Sequence, residues 1–288
     1  MRYDLIFNPA AGSGYAKDVI IRITSLLDSW HAEYKVHETV APGNATEIAR
    51  DLSFCSDNVI IAVGGDGTAS EVAAGLAGTG AVMGIIPAGT GNDFVKTVKI
   101  PKDPETAMRF MLDRPPRAID TGTINGQFFL NVCGTGFDVT VLECAEEKKK
   151  KHRGLTPYLL GLLKAIRVFE PVDLTIEYDG HTEQNSFLVC SVANGKIIGG
   201  GIPICPAADA ADGKLDLVMI RAVPRWKIPL YLPGLMLSRD LRFRITKHMT
   251  AERITVRGNA LKFNIDGEIR RLGDAEFIIC PASLKLIC

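Results

Sequence analysis

Residues 59–68, Val-Ile-Ile-Ala-Val-Gly-Gly-Asp-Gly-Thr, decide the fold class. Five consecutive apolar residues at 59–63 are typical of a strand that is buried on both faces. The run ends at Gly64 and Gly65, and residues 71–76 beyond the turn have the pattern of a helix. A buried strand that passes through a glycine turn into a helix predicts a βα unit of a parallel sheet.

The sequence on either side repeats this alternation. Strands are predicted at 5–7, around Val36 and at 81–86, and helices at 19–30, 44–52 and 103–111. Asn44 and Glu47 have the spacing of a capping box, and Asp103 precedes a proline as an N-cap precedes a first-turn proline. Residues 1–121 are therefore predicted to form an α/β nucleotide-binding domain whose parallel sheet is covered by helices on both faces.

The pattern changes near Gly122. Strand-like runs occupy residues 128–132, 174–178, 187–193, 215–220, 254–257 and 261–265. A helix-like segment at 155–169 interrupts them, whereas prolines weigh against a helix at 226–240. We expect a second, β-rich and mainly antiparallel domain over residues 122–280. The last strand-like stretch, 283–287, is expected to bring residues 281–288 back to the first domain.

Composition limits the classes of function. Lys+Arg and Asp+Glu both number 33, so the formal net charge is zero and no overall field attracts nucleic acid. The seven cysteines include no CxxC pair, which indicates reduced thiols. The sequence shows neither a signal-peptide h-region nor an apolar stretch long enough to span a bilayer. We therefore expect a cytoplasmic protein without a transmembrane segment, which meets a membrane only peripherally.

Glycine-rich turns follow predicted strands at residues 8–12, 64–68 and 87–93. The carboxyl ends of parallel strands meet at one edge of a sheet, so these turns are expected to cluster there. Glycine lets the backbone approach a phosphate closely, and helix amino ends attract anions. The sequence contains neither GxxxxGK[ST] nor GxGxxG, which excludes a P-loop and leaves a dinucleotide fingerprint unsupported. Asp66, inside the second turn, is placed to contact a metal ion or its water shell.

Residues 64–68, Gly-Gly-Asp-Gly-Thr, together with residues 89–94, Gly-Thr-Gly-Asn-Asp-Phe, resemble the catalytic domain of diacylglycerol kinases. The resemblance is to the soluble bacterial lipid kinases of that family, which share a nucleotide-binding fold with NAD kinases and 6-phosphofructokinases. Further matching positions are Asn8-Pro9, Ile119-Asp120, Asn194-Gly195, Gly199-Gly200-Gly201, Asp212-Gly213, Leu215-Asp216 and Asp266-Gly267-Glu268.

The resemblance implies ATP as phosphoryl donor, Mg²⁺, and Glu268 as the general base, with Asp66 as a second catalytic residue. The implied ATP site comprises Asn8, Pro9, Ala10, Ala11, Gly12, Thr39, Gly64, Gly65, Asp66, Gly67, Thr68, Ala69, Ser70, Glu71, Thr90, Asn92 and Asp93. Ala11 and Ser70 depart from the family, which often has Ser and Asn there, but neither is a proposed base or metal ligand.

A second Mg²⁺, with a structural role, is implied near Asp209, Asp212 and Lys214. Lys214 would contribute only its backbone carbonyl, because an ammonium has no lone pair. Asp93 and Asp120 would join an acidic network between the two metal sites.

The expected function is phosphorylation of a lipid hydroxyl, on diacylglycerol or a related lipid at the membrane surface. A kinase of a soluble substrate such as NAD, and a nucleotide-binding regulator without activity, remain alternatives. The segment 266–268 also fits an ordinary β-turn, and the acids at 209–216 fit a solvated loop. The basic run at 148–153 fits either headgroup contact or a solvated loop, and residues 226–242 fit either membrane docking or core packing. The sequence leaves open which lipid is used and the oligomeric state, a homodimer included.

Overall fold

A computed structural model describes residues 2–55, 57–149, 156–236 and 244–288. The chain forms two compact units, one of Met1–Thr121 with Cys280–Cys288 and one of Gly122–Ile279. The side chains of the basic run at 148–153, and Arg239 and Arg242 of the stretch at 226–242, lie outside the described residues.

The sheet of the first unit contains parallel strands β1 (Arg2–Phe7), β2 (Tyr34–Glu38), β3 (Asn58–Gly64) and β4 (Val82–Pro87). They lie side by side in the order β4, β3, β1, β2. Close to the end of the chain, Lys285 and Leu286 pair in parallel with the first residues of β4. Every residue of β3 is buried, as the apolar run at 59–63 predicts.

Helices connect these strands: α1 (Tyr15–Ser29), α2 (Asn44–Leu52), α3 (Asp66–Leu76), α4 (Asp93–Thr97) and α5 (Pro104–Leu112). A short 3₁₀-helix, Ala11–Gly14, precedes α1. On α1, the buried residues Ala16, Val19, Ile23 and Leu27 recur every three or four positions and form one apolar face against the sheet.

The capping box predicted at Asn44 and Glu47 is wrong. Helix α2 begins at Asn44 itself, and the Asn44 side chain accepts a hydrogen bond from the amide of Val40, outside the helix, at 3.2 Å. The amide of Ala45 instead donates to Glu71 Oε2 on α3, also at 3.2 Å. A carboxylate from the neighbouring helix thus takes the place of a local cap. The cap predicted at Asp103 is confirmed, because its side chain accepts from the amide of Thr106.

The remaining strands are β5 (Pro116–Ile124), β6 (Gln127–Phe129), β7 (Val132–Gly136), β8 (Val172–Tyr178), β9 (His181–Ala193), β10 (Leu215–Arg221), β11 (Thr246–Ala251), β12 (Arg253–Arg257), β13 (Lys262–Ile265), β14 (Glu268–Arg271) and β15 (Ala275–Ile287). In the second unit, β9 pairs with β8 over its first half and lies between β7 and β10 over its second half. Strand β11 extends from β10, β13 lies between β7 and β14, and β12 lies between β8 and β15. All these pairs are antiparallel, which confirms the predicted class of this unit.

The helices of the second unit are α6 (Phe137–Lys149), α7 (Thr156–Val168) and α8 (Ile228–Met236), with a 3₁₀-helix at Arg225–Lys227. The sequence weighed against a helix at 226–240 because of its prolines, but α8 forms. Pro229 lies in the first turn, where an amide has no partner within the helix, so only Pro233 removes a helical hydrogen bond. Among the described residues, no helix is long and apolar enough to cross a bilayer.

The single strand predicted at 128–132 is wrong, because the chain bends at Leu130 and Asn131 between β6 and β7. The Asp266 carboxylate holds this bend by accepting hydrogen bonds from three successive amides, those of Leu130 at 2.7 Å, Asn131 at 2.9 Å and Val132 at 3.1 Å. Asp266 and Gly267 both have positive φ, 47° and 98°, and form the two-residue turn between β13 and β14. One hairpin turn therefore fixes a bend more than a hundred residues away in the sequence.

We expect Asp266→Asn to lower the free energy of unfolding by about 2–3 kcal/mol, because a hydrogen bond to a charged group contributes roughly 1.5–3 kcal/mol and Asn keeps only one acceptor oxygen. Asn tolerates positive φ, so the turn itself is preserved. Chemical denaturation of the two proteins measures the difference.

Asp179→Asn is the matched control, since Asp179 also precedes a glycine in a hairpin turn with φ of 45° but is exposed. Equal effects of the two substitutions would contradict a specific role for the Asp266 carboxylate.

Candidate functional site

The turns predicted to bind phosphate lie at one edge of the sheet. Strands β2, β1, β3 and β4 are parallel neighbours, so the residues that follow them, Thr39, Asn8, Gly65 and Ala88, are at the same edge. The chain leaves β1 towards β2 on one side and returns to β3 on the other. Ligands of open α/β sheets bind outside the strand carboxyl ends at such a reversal of strand order.

Asn8 joins the first turn to the second. Its Oδ1 accepts from the amide of Ala10 at 3.0 Å, and its Nδ2 donates to Thr68 Oγ1 at 3.3 Å. Gly12 brings the first turn against the third, because a Cβ at this position would overlap the carbonyl oxygen of Ala88. Its φ of 59° also favours glycine. The predicted clustering of these turns is therefore a physical contact.

Asp66 joins the second turn to the third. Its Oδ1 accepts from the amides of Asp93 at 2.6 Å and Phe94 at 3.2 Å. Burial and then the nearby charge of Asp93 raise the pKa of Asp66, against the lowering effect of these amides. The backbones of Gly65 and Gly89 lie so close that a Cβ on Gly89 would overlap Gly65.

The third turn is held by Asn92. Its side chain accepts from the amide of Gly89 at 3.1 Å and donates to the carbonyl of the same residue at 2.8 Å, with a left-handed backbone at φ 51°. The carboxylate of Asp93, in contrast, is buried and paired with Lys96 at 2.9 Å. Thr90 at the tip of the turn is exposed.

Two helices present their amino ends at this edge. Helices α1 and α3 begin after Gly14 and Gly65, which have no side chain to accept from the first-turn amides. Such amides and the positive end of the helix dipole favour an anion. Gly67 in the first turn of α3 is exposed, so a ligand can reach the backbone there.

Other residues of the predicted ATP site face inwards or elsewhere. Thr68 and Ala69 are buried in the first turn of α3, and the Glu71 carboxylate is held by the amide of Ala45 at the start of α2. Asp120 is also buried, and its Oδ1 accepts from the amide of Ala282 at 2.7 Å.

In the second unit, Glu268 is the first residue of β14. Its side chain is 68% exposed, and its carboxylate pairs with Arg270 at 2.7 Å. The preceding Gly267 has φ of 98° and donates its amide to the Asn264 side chain at 2.9 Å. Glu268 is therefore exposed at the start of β14, directly after a turn that is fixed by hydrogen bonds of Asp266 and Asn264.

Asn194, one of the residues of the family resemblance, and Asn131 hold the same region together. Asn131 donates its side-chain amide to the carbonyl of Ile197 at 2.8 Å, and Asn194 donates to the carbonyl of Leu130 at 2.7 Å. They tie the bend before β7 to the segment after β9, which is a structural role.

The predicted metal ligands Asp209, Asp212 and Lys214 lie on an exposed loop before β10. Asp209 Oδ1 accepts from the amide of Ala211 at 3.2 Å, and Asp212 Oδ1 accepts from the amide of Lys214 at 3.0 Å. These bonds shape two local turns. The donors on offer, carboxylate and carbonyl oxygens in contact with water, are of the kind that Mg²⁺ prefers.

A groove of about 700 Å³ lies beside the turn between β8 and β9. Charged and polar residues contribute much of its lining, among them Glu177, Asp179, His181, Lys214 and Arg253. This lining does not suit acyl chains, so we do not assign the groove to a lipid tail.

Sequence reasoning missed Asp138, in the first turn of α6. Its Oδ2 accepts from the Asn264 side chain at 3.3 Å, while its Oδ1 is enclosed without a hydrogen-bond partner among the described residues. Burial raises the pKa of Asp138 to about 6, against hydrogen bonds from Asn264 and from backbone amides. A first-turn acid directly after a buried strand was the available signal, but acids at helix amino ends are common.

The raised pKa of Asp138 predicts a pH-dependent cost. Between its ordinary value of 3.8 and about 6, the unfolded state loses the proton and the folded state keeps it, so stability falls as the pH rises. We expect Asp138→Asn, which keeps the acceptor for Asn264, to become more stable than wild type by up to about 3 kcal/mol above pH 6.

Denaturation at several pH values measures this difference, which should be small near pH 4 and constant above pH 7. Asp179→Asn, at an exposed position, is the control and should show no such trend. A difference for Asp138→Asn that does not change with pH would contradict the prediction.

Comparisons with known proteins agree with this architecture. Residues 2–124 match the family model described as the diacylglycerol kinase catalytic domain, and residues 131–288 match the YegS C-terminal NAD kinase beta sandwich-like domain. The chain is 28% identical to a diacylglycerol kinase of Bacillus subtilis over 96% of this chain and 93% of the relative. It is 32% identical to a probable YegS-like lipid kinase of Pseudomonas putida over 94% and 90%.

A crystal structure titled as a diacylglycerol kinase of Bacillus anthracis superposes with a TM-score of 0.81. It is 28% identical, and the match covers 99% of this chain and 96% of that one. The resemblance seen in the sequence motifs is confirmed, and the chain belongs to the diacylglycerol kinase catalytic-domain family, with the C-terminal domain of the YegS-like lipid kinases.

Proposed function

We propose that the protein is an ATP-dependent lipid kinase that transfers the γ-phosphoryl group to the hydroxyl of diacylglycerol or a related lipid. The observation that carries the proposal is the convergence, in the first unit, of glycine turns and two helix amino ends without side-chain caps at the reversal of strand order. Membership of a kinase family agrees with a triphosphate as the ligand of this edge.

The first unit would bind ATP through its backbone. Amides in the first turn of α3 would donate to phosphate oxygens, and the close backbone contacts of Gly12 with Ala88 and of Gly89 with Gly65 keep the turns in register. Mg²⁺ bound with ATP neutralises charge that builds on the transferred group. Asp66 holds the amides of the third turn and orders the acidic side of this site.

Glu268 is the proposed general base. Its exposed carboxylate can accept a proton from a hydroxyl that approaches from solvent or from a membrane surface, and Arg270 holds it by an ion pair. General-base assistance of this kind contributes typically about 10²–10⁴-fold in rate.

The proposal also includes a structural Mg²⁺ bound by Asp209, Asp212 and the Lys214 carbonyl. It is supported by the type of donor atom, since Mg²⁺ prefers oxygen ligands.

We expect the purified protein to transfer label from γ-labelled ATP to a lipid extract and not to NAD. Glu268→Gln should reduce turnover by about 10²–10⁴-fold and leave the dissociation constant of ATP unchanged, because the substitution removes only the proton acceptor. Glu276→Gln is the matched control, since Glu276 is a partly exposed glutamate in the same unit that also pairs with an arginine.

If label appears on NAD and not on lipid, the protein is a kinase of a soluble substrate instead. If the protein binds ATP but transfers label to neither, the result supports a nucleotide-binding regulator without kinase activity. Near-normal turnover of Glu268→Gln would remove Glu268 from the mechanism.

An apolar surface of the second unit is the proposed membrane contact. Trp226 and Leu230 are 70% and 68% exposed, and Leu159 and Leu163 on α7 are also exposed. Arg225 donates to the carbonyl of Phe169 at 2.6 Å and so holds the 3₁₀-helix at the end of α7. Core packing explains the buried Ile228 of α8 but not its exposed neighbours. Exposed aromatic and aliphatic side chains beside basic residues are typical of interfacial binding.

We expect the double substitution Trp226→Ala and Leu230→Ala to weaken co-sedimentation with vesicles that contain anionic lipid by at least about tenfold, since transfer of each large side chain from water contributes up to roughly 1.5–3 kcal/mol. Phe54→Ala, which removes a side chain 86% exposed in the first unit, is the control and should bind as wild type does. Equal binding of the double variant and wild type would place the membrane contact elsewhere.

A further inference from the structure

A buried thiol, a buried carboxylate and a partly exposed imidazole meet in the second unit, and none of the three belongs to the proposed ATP, base or Mg²⁺ residues. The ligand atoms of Cys205, Asp216 and His248 all lie within 4.8 Å of one another. Cys205 and Asp216 are buried, and the His248 side chain is 24% exposed. These three residue types are the ligands that proteins use for Zn²⁺.

Strand register places two of the three on one face. Asp216 of β10 lies opposite Thr250 of β11, and His248 lies opposite Val218, so Asp216 and His248 are diagonal neighbours on the same side of the pair. Val218 and Cys205 belong to the same buried cluster, which covers this face. The backbone of Cys205 is fixed in turn, because its amide donates to the carbonyl of Lys196 at 3.1 Å and its carbonyl accepts from the amide of Ala208 at 3.2 Å.

The Asp216 carboxylate is not fully satisfied by the protein. Oδ1 lies 2.5 Å from His248 Nε2, but the buried Oδ2 has no hydrogen-bond partner among the described residues. An unpaired carboxylate oxygen away from water is costly, and a bound cation removes that cost. The oxygen atom that indicates a ligand therefore belongs to Asp216, the buried carboxylate of the three residues.

We propose that Cys205, Asp216 and His248 bind a divalent transition-metal ion of the Zn²⁺ class. Metal–ligand distances of about 2.0–2.3 Å in a tetrahedral site imply ligand–ligand separations of about 3.3–3.8 Å, which adjustments of about 1 Å in these side chains would reach. The thiolate selects Zn²⁺ over Mg²⁺, so this site differs in kind from the oxygen ligands of the loop at 209–214. The exposed edge of His248 gives the ion a path and leaves a fourth position for water.

A metal ion bound there would connect the loop that contains Cys205 to β10 through Asp216 and to β11 through His248. A bound ion should therefore stabilise the second unit whether or not the protein acts as a kinase. The competing explanation is a hydrogen-bonded pair of Asp216 and His248 beside the buried Cys205, with no metal ion bound.

Cobalt substitution distinguishes the two. Addition of Co²⁺ to the metal-free full-length protein should give the thiolate-to-cobalt charge-transfer absorption of a tetrahedral site, with about one ion per chain. Zn²⁺ should displace Co²⁺ and should raise the melting temperature of protein already saturated with Mg²⁺, whereas a large excess of Mg²⁺ should not displace Co²⁺. Cys205→Ala should abolish the band, and His248→Gln should weaken Zn²⁺ binding by at least about tenfold.

Cys190→Ala is the matched control, because Cys190 is also buried but belongs to a different core cluster from Cys205. It should keep the band and the zinc-dependent melting shift. If Cys205→Ala fails to fold, the partly exposed His248→Gln carries the test. Absence of the band in wild type, a band that persists in Cys205→Ala, or displacement by Mg²⁺ would overturn the proposal.

Discussion

Parallel pairing of β1 with both β2 and β3 is the constraint on which the first unit depends. It requires every connection to cross from one end of the sheet to the other, and so collects the turns that follow the strands at a single edge. Because the strands are spaced by about 4.8 Å, the turns must also touch. Glycine at 12, 65 and 89 is the only residue whose backbone tolerates these contacts without displacing a neighbour.

One aspartate in each unit accepts hydrogen bonds from consecutive backbone amides of a distant segment. Asp66 accepts from the first two amides of α4, where the third glycine turn ends, and Asp266 accepts from three amides of the bend before β7. In both, a carboxylate takes backbone donors that have no partner in a helix or strand, which lets an irregular segment be rigid. Asp66 lies within the second glycine turn of the proposed ATP site, and Asp266 lies two residues before the proposed base Glu268. Both carboxylates therefore stiffen the backbone next to residues of the proposed reaction.

Much of the fold could be predicted from the sequence, because strand and helix leave periods of two and three to four residues in the apolar pattern. The buried run at 59–63 and the mixed fold class were accessible in this way, and the helix cap at Asp103 was accessible from its place before a first-turn proline. The Glu71 cap of α2, the bend at Leu130 and the three-residue cluster at Cys205 were not. Each joins segments far apart in sequence, and the partner of a polar side chain depends on strand register, which apolar periodicity does not encode.

Asp4, Asp66 and Asp138 differ in their hydrogen-bond partners, and the balance between burial and these partners sets the direction of each pKa shift. Burial pushes the pKa of Asp4 upward, but hydrogen bonds from Arg2, Asn58 and His37 outweigh it and hold the pKa below its ordinary value, so the ionised acid stabilises the sheet. For Asp66 and Asp138 burial prevails and the pKa is raised, which means that the ionised acid costs the folded state free energy. A bound ligand that brings positive charge or hydrogen-bond donors to either acid would lower its pKa again, so ligand binding and the charge of these acids would be linked.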